Sequence, residues 1–183
     1  MTYTEYLAHE EATGMKHEFI NGEVWAMTGG TLQHSALASR ITRLLGNALE
    51  GQPCQVYTSD GRVRIVVDNV STYPDISVVC GSLVRAPDDP EAIINPVVLV
   101  EVLSDSTEGY DRGKKFERYR RLPSLRAYVL VTQAEPQIEV YQRQGTRWAL
   151  TEAHAGDSVT IDALGVTLDV DAVYANPLPE SEG

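Results

Sequence analysis

The sequence predicts an α/β or α+β fold in which a mixed β-sheet is covered by helices. Residues 33–50 and 110–122 carry apolar side chains at the spacing of one helical face. The segments around these helices are short apolar or alternating runs of the kind that form strands. A layout of one helix, strands, a helix, more strands, a helix and final strands fits a sheet with helices packed on it. The length of 183 residues and the 43% content of hydrophobic residues predict one domain with a sizeable core.

The N-terminal region is predicted to contain a short helix and a hairpin. The helix covers residues 2–9, and Gly14 breaks it. The hairpin covers residues 19–27, because the dipeptide Asn21-Gly22 is a strong signal for a two-residue turn that needs positive φ at both positions.

The rest of the chain is dominated by predicted strands. Residues 97–104 (VVLVEVLS) are the most apolar and are expected to form a central strand that is buried on both faces. Residues 86–96 contain three prolines and are predicted as a loop. We expect one domain over residues 1–175 and a flexible acidic tail over residues 176–183. The other predicted strands are residues 54–58, 62–67, 73–80, 128–131, 137–142, 147–151, 158–161 and 167–170.

Charge is distributed unevenly along the chain. The net charge of −11 argues against simple electrostatic adhesion to nucleic acid. Residues 112–126, however, contain seven Lys or Arg residues and one acid, whereas residues 148–183 contain seven acids and no Lys or Arg. The basic segment could face phosphates, pair with the protein's own acids or dock an acidic protein partner.

Two acids stand out because each lies in an otherwise apolar strand. Glu101 interrupts VVLVEVLS, and Asp75 lies near the start of YPDISVVC. A buried carboxylate is costly unless it is paired or binds a metal, and paired carboxylates suit Mg²⁺. The alternative is that each acid lies at a strand end and meets solvent or an arginine.

Lys115 follows Glu101 by 14 residues, in the next predicted helix. A lysine that reaches back over two carboxylates could orient a water molecule and stabilise developing negative charge. Asp111 is four residues before Lys115, so a salt bridge within the helix is the simpler interpretation.

Four segments of the chain form a distinctive pattern: KHEFINGEVWAMTGG, SDGRVRI, YPDISVVC and LVEVLSDSTEGYDRGKKFERYRRLPSLRAYVLV. They resemble the Uma-two family, a bacterial family of restriction-endonuclease-like proteins in the PD-(D/E)xK nuclease superfamily. The resemblance covers about residues 1–145 and is most specific over residues 98–131. It implies a restriction-endonuclease-like core with a mixed central sheet flanked by helices. One departure is Asp105, which follows EVLS where the family usually has proline.

The resemblance also assigns candidate roles to individual residues. Asp75 and Glu101 match the two metal-binding acids, and Glu18 matches an additional acid on an early element. Lys115 matches a lysine that has moved from the strand to the following helix. His34 and Asp60 match further positions without a settled role.

The sequence as a whole leads to two competing functional expectations. The first is an endonuclease that uses Mg²⁺, for which Mn²⁺ can substitute, to hydrolyse phosphodiester bonds in double-stranded DNA as a homodimer. Arg112, Arg118 and Arg121 are the expected contacts to nucleic acid. The second is a nuclease-fold protein that no longer cuts and acts as a nucleic-acid or protein binding module.

Three further expectations concern location and cysteine chemistry. No apolar run reaches the length of a membrane span, and the acidic N-terminus does not resemble a signal peptide, so a cytoplasmic protein without membrane contact is expected. Cys54 and Cys80 are then expected to be reduced. The spacing of the histidines and cysteines does not fit a structural zinc site.

Overall fold

A computed structural model describes residues 1–27, 29–104 and 107–178. The helical elements are α1 (Tyr3–Thr13), α2 (Leu32–Ala48), a 3₁₀ turn (Val66–Asp68), α3 (Glu108–Tyr110), a π-helical turn (Asp111–Lys115), α4 (Phe116–Tyr119) and α5 (Val170–Tyr174). The strands are β1 (His17–Ile20), β2 (Glu23–Ala26), β3 (Cys54–Thr58), β4 (Arg62–Ile65), β5 (Val70–Thr72), β6 (Ile76–Cys80), β7 (Arg85–Ala86), β8 (Asp89–Ile93), β9 (Val98–Val102), β10 (Ala127–Val131), β11 (Gln137–Gln144), β12 (Arg147–His154), β13 (Ser158–Ile161) and β14 (Val166–Asp169).

The described strands form two six-stranded sheets and one small hairpin. The first sheet has the order β2-β1-β5-β4-β8-β7, and the second has the order β12-β11-β10-β9-β6-β3. In the second sheet β9 is parallel to β10 and antiparallel to β6. The predicted class, a mixed sheet with helices, is confirmed.

Strand β9 is the central element of the second sheet, as predicted, and all five of its residues are buried. Alternation along a strand sends successive side chains to opposite faces. Val98 and Val100 pack in the core that contains the apolar face of α2 and the β13–β14 hairpin. Leu99 packs on the other side, in the core between the two sheets that also contains Phe116 and Tyr119. Glu101 follows Leu99 by two positions and therefore faces the core between the sheets.

The N-terminal helix covers the outer face of the first sheet. Thr2 and Glu5 form a reciprocal capping box at its start, and Gly14 ends it with φ of 63°. Tyr6 of this helix is buried against the ring of Phe19 in β1. The hairpin predicted at residues 19–27 is formed by β1 and β2.

The middle of the chain differs most from the expectations. Residues 86–96, predicted as a loop, contain β8 and the end of β7. The prolines do not prevent these strands, because proline is tolerated at strand positions that need no amide donor. The predicted strand over residues 62–67 ends at Ile65, where the 3₁₀ turn begins. The predicted helix over residues 110–122 is instead the series α3, π-helical turn and α4.

Cys54 and Cys80 correct the expectation of reduced thiols. They occupy directly paired positions on β3 and β6, and the structure joins them in a disulfide. Pairing between strands 26 positions apart in sequence brings the sulfurs together, and the sequence did not reveal it.

Two further expectations concern the chain terminus and the membrane. The expected tail, residues 176–183, lies outside the described residues from position 179 onward, as does Asp105. None of the helices in the described part of the chain has the length and apolarity of a membrane-crossing helix.

Candidate active site

Glu101 is a buried carboxylate at the centre of the second sheet. It is 4% exposed. Its Oε1 accepts a hydrogen bond of 2.8 Å from the hydroxyl of Tyr119 and lies 2.9 Å from Nζ of Lys115. The carboxylate of Glu101 is therefore shielded from solvent and does not pair with an arginine. Its charged partner is Lys115, the lysine of the following helix that the sequence analysis singled out.

Lys115 brings three carboxylates to one point. Its Nζ lies 2.9 Å from Glu101, 3.4 Å from Oε1 of Glu18 and 3.4 Å from Oδ1 of Asp111. Lys115 therefore pairs with Asp111 within its own element and also reaches Glu101. The π-helical turn ends at this lysine, and π-helical turns are frequent at functional sites.

Glu18 joins the cluster from strand β1. Its Oε1 accepts a 2.5 Å hydrogen bond from the hydroxyl of Thr72, and its Oε2 accepts a 3.1 Å hydrogen bond from the hydroxyl of Tyr110. Arg118 donates a 2.8 Å hydrogen bond to the same tyrosine hydroxyl. A chain of hydrogen bonds thus links β1 of the first sheet to Arg118 of α4.

Asp75 lies directly before β6 and beside Glu101. The antiparallel register pairs Ile76 with Val100, and extending it by one residue places Asp75 opposite Glu101. Oδ2 of Asp75 accepts a 2.8 Å hydrogen bond from the backbone N–H of Val102 and lies 3.1 Å from Nε2 of His34. These contacts fix the orientation of the carboxylate at the end of the two strands.

The buried charges shift the proton affinities of the cluster. Burial raises the pKa of Glu101 from 4.5 to about 8, against the opposing effect of Lys115, and Asp75 and Asp111 raise it further. Burial alone would lower the pKa of Lys115, but the surrounding carboxylates hold it well above its usual value. The hydrogen bond to Asp75 raises the pKa of His34, although burial opposes the shift.

The donor set fits a hard divalent cation held by few protein ligands. Asp75 and Glu101 supply carboxylate oxygens on neighbouring strands, and Mg²⁺ is usually bound by one or two carboxylates while it keeps several waters. Within residues 1–27, 29–104 and 107–178, no three His, Cys, Asp or Glu side chains are arranged to enclose a metal ion. The chemistry therefore suits an open two-carboxylate site and does not suit a closed cage.

Two other predicted residues, Asp60 and Arg112, form ion pairs with residues outside the cluster. Asp60 is not part of the cluster; it is exposed and pairs with Lys16. Arg112 pairs with Glu108 at 2.7 Å and with the buried Glu139, so its charge is used inside the protein. The expectation that Arg112 serves nucleic acid is therefore not supported by its contacts.

Arg118 and Arg121 line a cleft, called here the basic cleft, that is connected to the cluster through the hydrogen bond from Arg118 to Tyr110. The cleft has a volume of about 620 Å³, and Lys114 also lines it. The Nε of Arg121 lies 3.4 Å from Asp68, and its side chain is 61% exposed. The remaining lining residues are Asn21, Val67, Asp68, Asn69 and Glu117.

Sequence reasoning missed three members of the site. Asp111 was considered only as the helical partner of Lys115, and Tyr110 was not considered. Tyr119 lies one helical turn after Lys115, a spacing that is compatible with packing over the site, although core packing is the default interpretation of such a tyrosine. Tyr110 and Tyr119 contact the cluster through hydroxyls whose partners, Glu18 and Glu101, lie on strands, whereas Asp111 contacts Lys115 within the same π-helical turn.

The fold and the cluster define a protein of the restriction-endonuclease-like class. Residues 3–171 match the sequence pattern of the Uma2 family, whose description is "Putative restriction endonuclease". The chain belongs to this family, which confirms the resemblance noted from the sequence.

Relatives and a solved structure agree with this assignment. The chain is 37% identical over 171 residues to "Uncharacterized protein slr1290" of Synechocystis sp., covering 93% of this chain and 89% of the relative. It is 35% identical over 153 residues to "Uncharacterized protein sll1609" of the same organism, covering 83% and 86%. The fold is similar to a crystal structure titled "putative nuclease belonging to DUF820" from Anabaena variabilis, with a TM-score of 0.77, 19% identity and coverage of 95% and 97%.

Proposed function

We propose that this protein is an endonuclease that hydrolyses phosphodiester bonds in double-stranded DNA with the help of Mg²⁺. The observation that carries the proposal is the convergence of Glu101, Glu18 and Asp111 on Lys115, with Asp75 opposite Glu101. Buried acids are costly unless a cation compensates them, and such clusters are concentrated at functional sites. Membership of a family described as restriction endonucleases supports the same reaction class.

Each residue of the cluster has a distinct task in this proposal. Asp75 and Glu101 would hold the metal ion, and Glu18 would bind it directly or through water. A bound Mg²⁺ activates a water nucleophile and neutralises charge on the phosphate oxygens. The ammonium of Lys115 would stabilise the negative charge that develops on the phosphoryl group.

Two supporting side chains keep this arrangement in place. The hydroxyl of Tyr119 orients Glu101, and the ring of His34 orients Asp75. Both contacts hold a carboxylate before substrate arrives, which lowers the reorganisation needed during the reaction.

The nucleic-acid backbone is proposed to follow the cleft beside α4. Lys114, Arg118 and Arg121 line it, and phosphate contacts from lysine and arginine position DNA without reading its sequence. Arg118 is connected to Glu18 through Tyr110. A phosphate held by Arg118 would therefore lie close to the carboxylate cluster. We further propose a homodimer, since two copies related by two-fold symmetry can cut both strands of a duplex.

A non-catalytic binding module is the second candidate function. Lys115 already supplies a cation to the cluster, and the net charge is −11. A protein with this arrangement could bind a partner through the basic cleft without metal chemistry.

Calorimetric titration with Mn²⁺ separates the two candidates. The nuclease proposal expects binding to the wild type, loss of binding in Asp75→Ala and retention in Asp60→Ala, because Asp60 is outside the cluster. Cleavage of plasmid DNA in Mg²⁺ should follow the same pattern. Absence of Mn²⁺ binding and cleavage, together with salt-sensitive DNA binding, would favour the binding module.

A further inference from the structure

Trp25 presents an exposed indole at the edge of the first sheet. It lies on β2, the terminal strand of that sheet, and is 58% exposed. No aromatic ring or cation packs on it within the described part of the chain, whereas Trp148 packs against Phe116 and Arg143. Trp25 therefore offers a free aromatic face, and Trp148 does not.

The strand register places this indole beside the carboxylate cluster. Trp25 pairs directly with Glu18 across β1 and β2. Directly paired residues of antiparallel strands project from the same face, with Cβ atoms about 5 Å apart. The neighbouring pair, Phe19 and Val24, projects from the opposite face, where α1 packs on Phe19. Trp25 thus shares the face from which Glu18 reaches Lys115.

Glu18 connects the cleft and the indole. Arg118, which lines the cleft, is linked through Tyr110 to Glu18, and Trp25 is the direct strand partner of Glu18. A nucleic-acid strand whose backbone lies in the cleft and whose phosphate reaches the cluster would bring its next nucleotide to the indole. The cleft supplies the charge for the backbone, and the indole supplies a flat apolar surface for a base.

We propose that Trp25 is a stacking platform for a nucleobase adjacent to the phosphate that reacts. This proposal rests on the nuclease function proposed above and narrows its substrate. A base inside a duplex has no free face, so only an unpaired or flipped nucleotide can stack on the indole. The site therefore favours double-stranded DNA in which a nucleotide at the position of cleavage is unpaired or can flip out of the helix over a duplex that stays fully paired.

Binding of short oligonucleotides in EDTA tests the stacking role without cleavage. Fluorescence anisotropy compares a labelled 12-nucleotide single strand with the matched duplex, for wild type, Trp25→Leu and Trp25→Phe. Since stacking of one base on an aromatic side chain changes affinity by about 5- to 150-fold, Trp25→Leu should lose that much affinity for the single strand. Trp25→Phe should retain most of the affinity, and affinity for the duplex should change little in either variant.

Intrinsic fluorescence provides a second readout. The chain has two tryptophans, so Trp148→Phe leaves Trp25 as the only one. The expected result is quenching by the single strand and no quenching by an oligonucleotide of equal charge with abasic sites. Equal quenching by both, or unchanged single-strand affinity in Trp25→Leu, overturns the proposal.

The remaining outcomes distinguish failure of this inference from failure of the nuclease function. If wild type binds Mn²⁺ and cleaves DNA but Trp25→Leu behaves like wild type, only the stacking proposal is overturned. If wild type neither binds Mn²⁺ nor cleaves any DNA, the nuclease function fails and the stacking proposal fails with it. A change of oligomeric state in Trp25→Leu, seen by sedimentation velocity, would assign the indole to an interface between copies and overturn the stacking role.

Discussion

Replacement of Glu101 by glutamine should change how stability depends on pH in the metal-free protein. Burial raises the pKa of Glu101 from 4.5 to about 8. The folded state therefore keeps this proton over a range in which the unfolded chain has lost it. Linkage then requires the free energy of unfolding of the wild type to fall as pH rises between these two values.

The size of the effect follows from the width of that pH range. One pKa unit corresponds to about 1.4 kcal/mol, so the loss attributable to Glu101 between pH 5 and pH 8 is on the order of 4 kcal/mol. Glutamine has nearly the same shape and does not titrate. The stability of Glu101→Gln relative to wild type should therefore increase with pH by this amount and level off above about pH 8.

Urea denaturation in EDTA at several pH values measures this difference. Glu91→Gln is the matched control, because it makes the same chemical change on a side chain that is 77% exposed. Its profile should run parallel to that of the wild type. If Glu101→Gln also runs parallel between pH 5 and pH 8, Glu101 is ionised throughout and the argument from burial is refuted.

Three further changes test the cluster, the basic cleft and the disulfide. Lys115→Met should strengthen Mn²⁺ binding by about a thousandfold or more while lowering DNA cleavage, because two unit charges about 4 Å apart repel by about 4 kcal/mol at an effective dielectric constant of 20, and Mn²⁺ carries two charges; weaker binding in calorimetry would contradict this. Arg118→Ala should weaken DNA binding and lower the salt dependence of that binding. Arg112→Ala should mainly lower the free energy of unfolding in urea, because it leaves the buried Glu139 without its partner. If Arg112→Ala instead weakens DNA binding and Arg118→Ala lowers stability, Arg112 is the DNA contact. Cys80→Ser should lower the free energy of unfolding by about 3 kcal/mol, because the disulfide spans 26 residues and its loss increases the entropy of the unfolded chain. A decrease below about 1 kcal/mol in urea titrations would show that the crosslink contributes little.

Local sequence pattern was sufficient to predict the strand that carries the site. The apolar run around Glu101 has no alternation, and this property alone indicated a strand buried on both faces. The position of Lys115 in the next helix singled it out, and the resemblance added Glu18. The structure places Nζ of Lys115 2.9 Å from Glu101 and 3.4 Å from Glu18. These predictions depended on short stretches of sequence, where pattern is informative.

Contacts between distant segments could not be predicted from the sequence. Arg112 is positively charged in a basic segment, but its partner Glu139 lies on β11, and sequence spacing does not reveal that pairing. Cys54 and Cys80 are joined because β3 and β6 pair in one register, which a local pattern cannot specify. The β7–β8 hairpin was obscured by prolines that are tolerated at positions where no amide donor is needed.

The charge balance of the cluster favours metal chemistry over a purely structural role. Three carboxylates, from Glu18, Glu101 and Asp111, lie around the ammonium group of Lys115, and Asp75 lies opposite Glu101. Burial, together with the charges of Asp75 and Asp111, raises the pKa of Glu101 to about 8. A structural cluster would be more stable with fewer acids, because replacing buried ionic groups by apolar ones of similar volume is often stabilising. A divalent cation beside Asp75 and Glu101 would offset the remaining negative charge and lower the pKa of Glu101. The number of acids in the cluster is therefore explained if the cluster binds a metal ion. It is not explained if Lys115 is the only cation that compensates these acids.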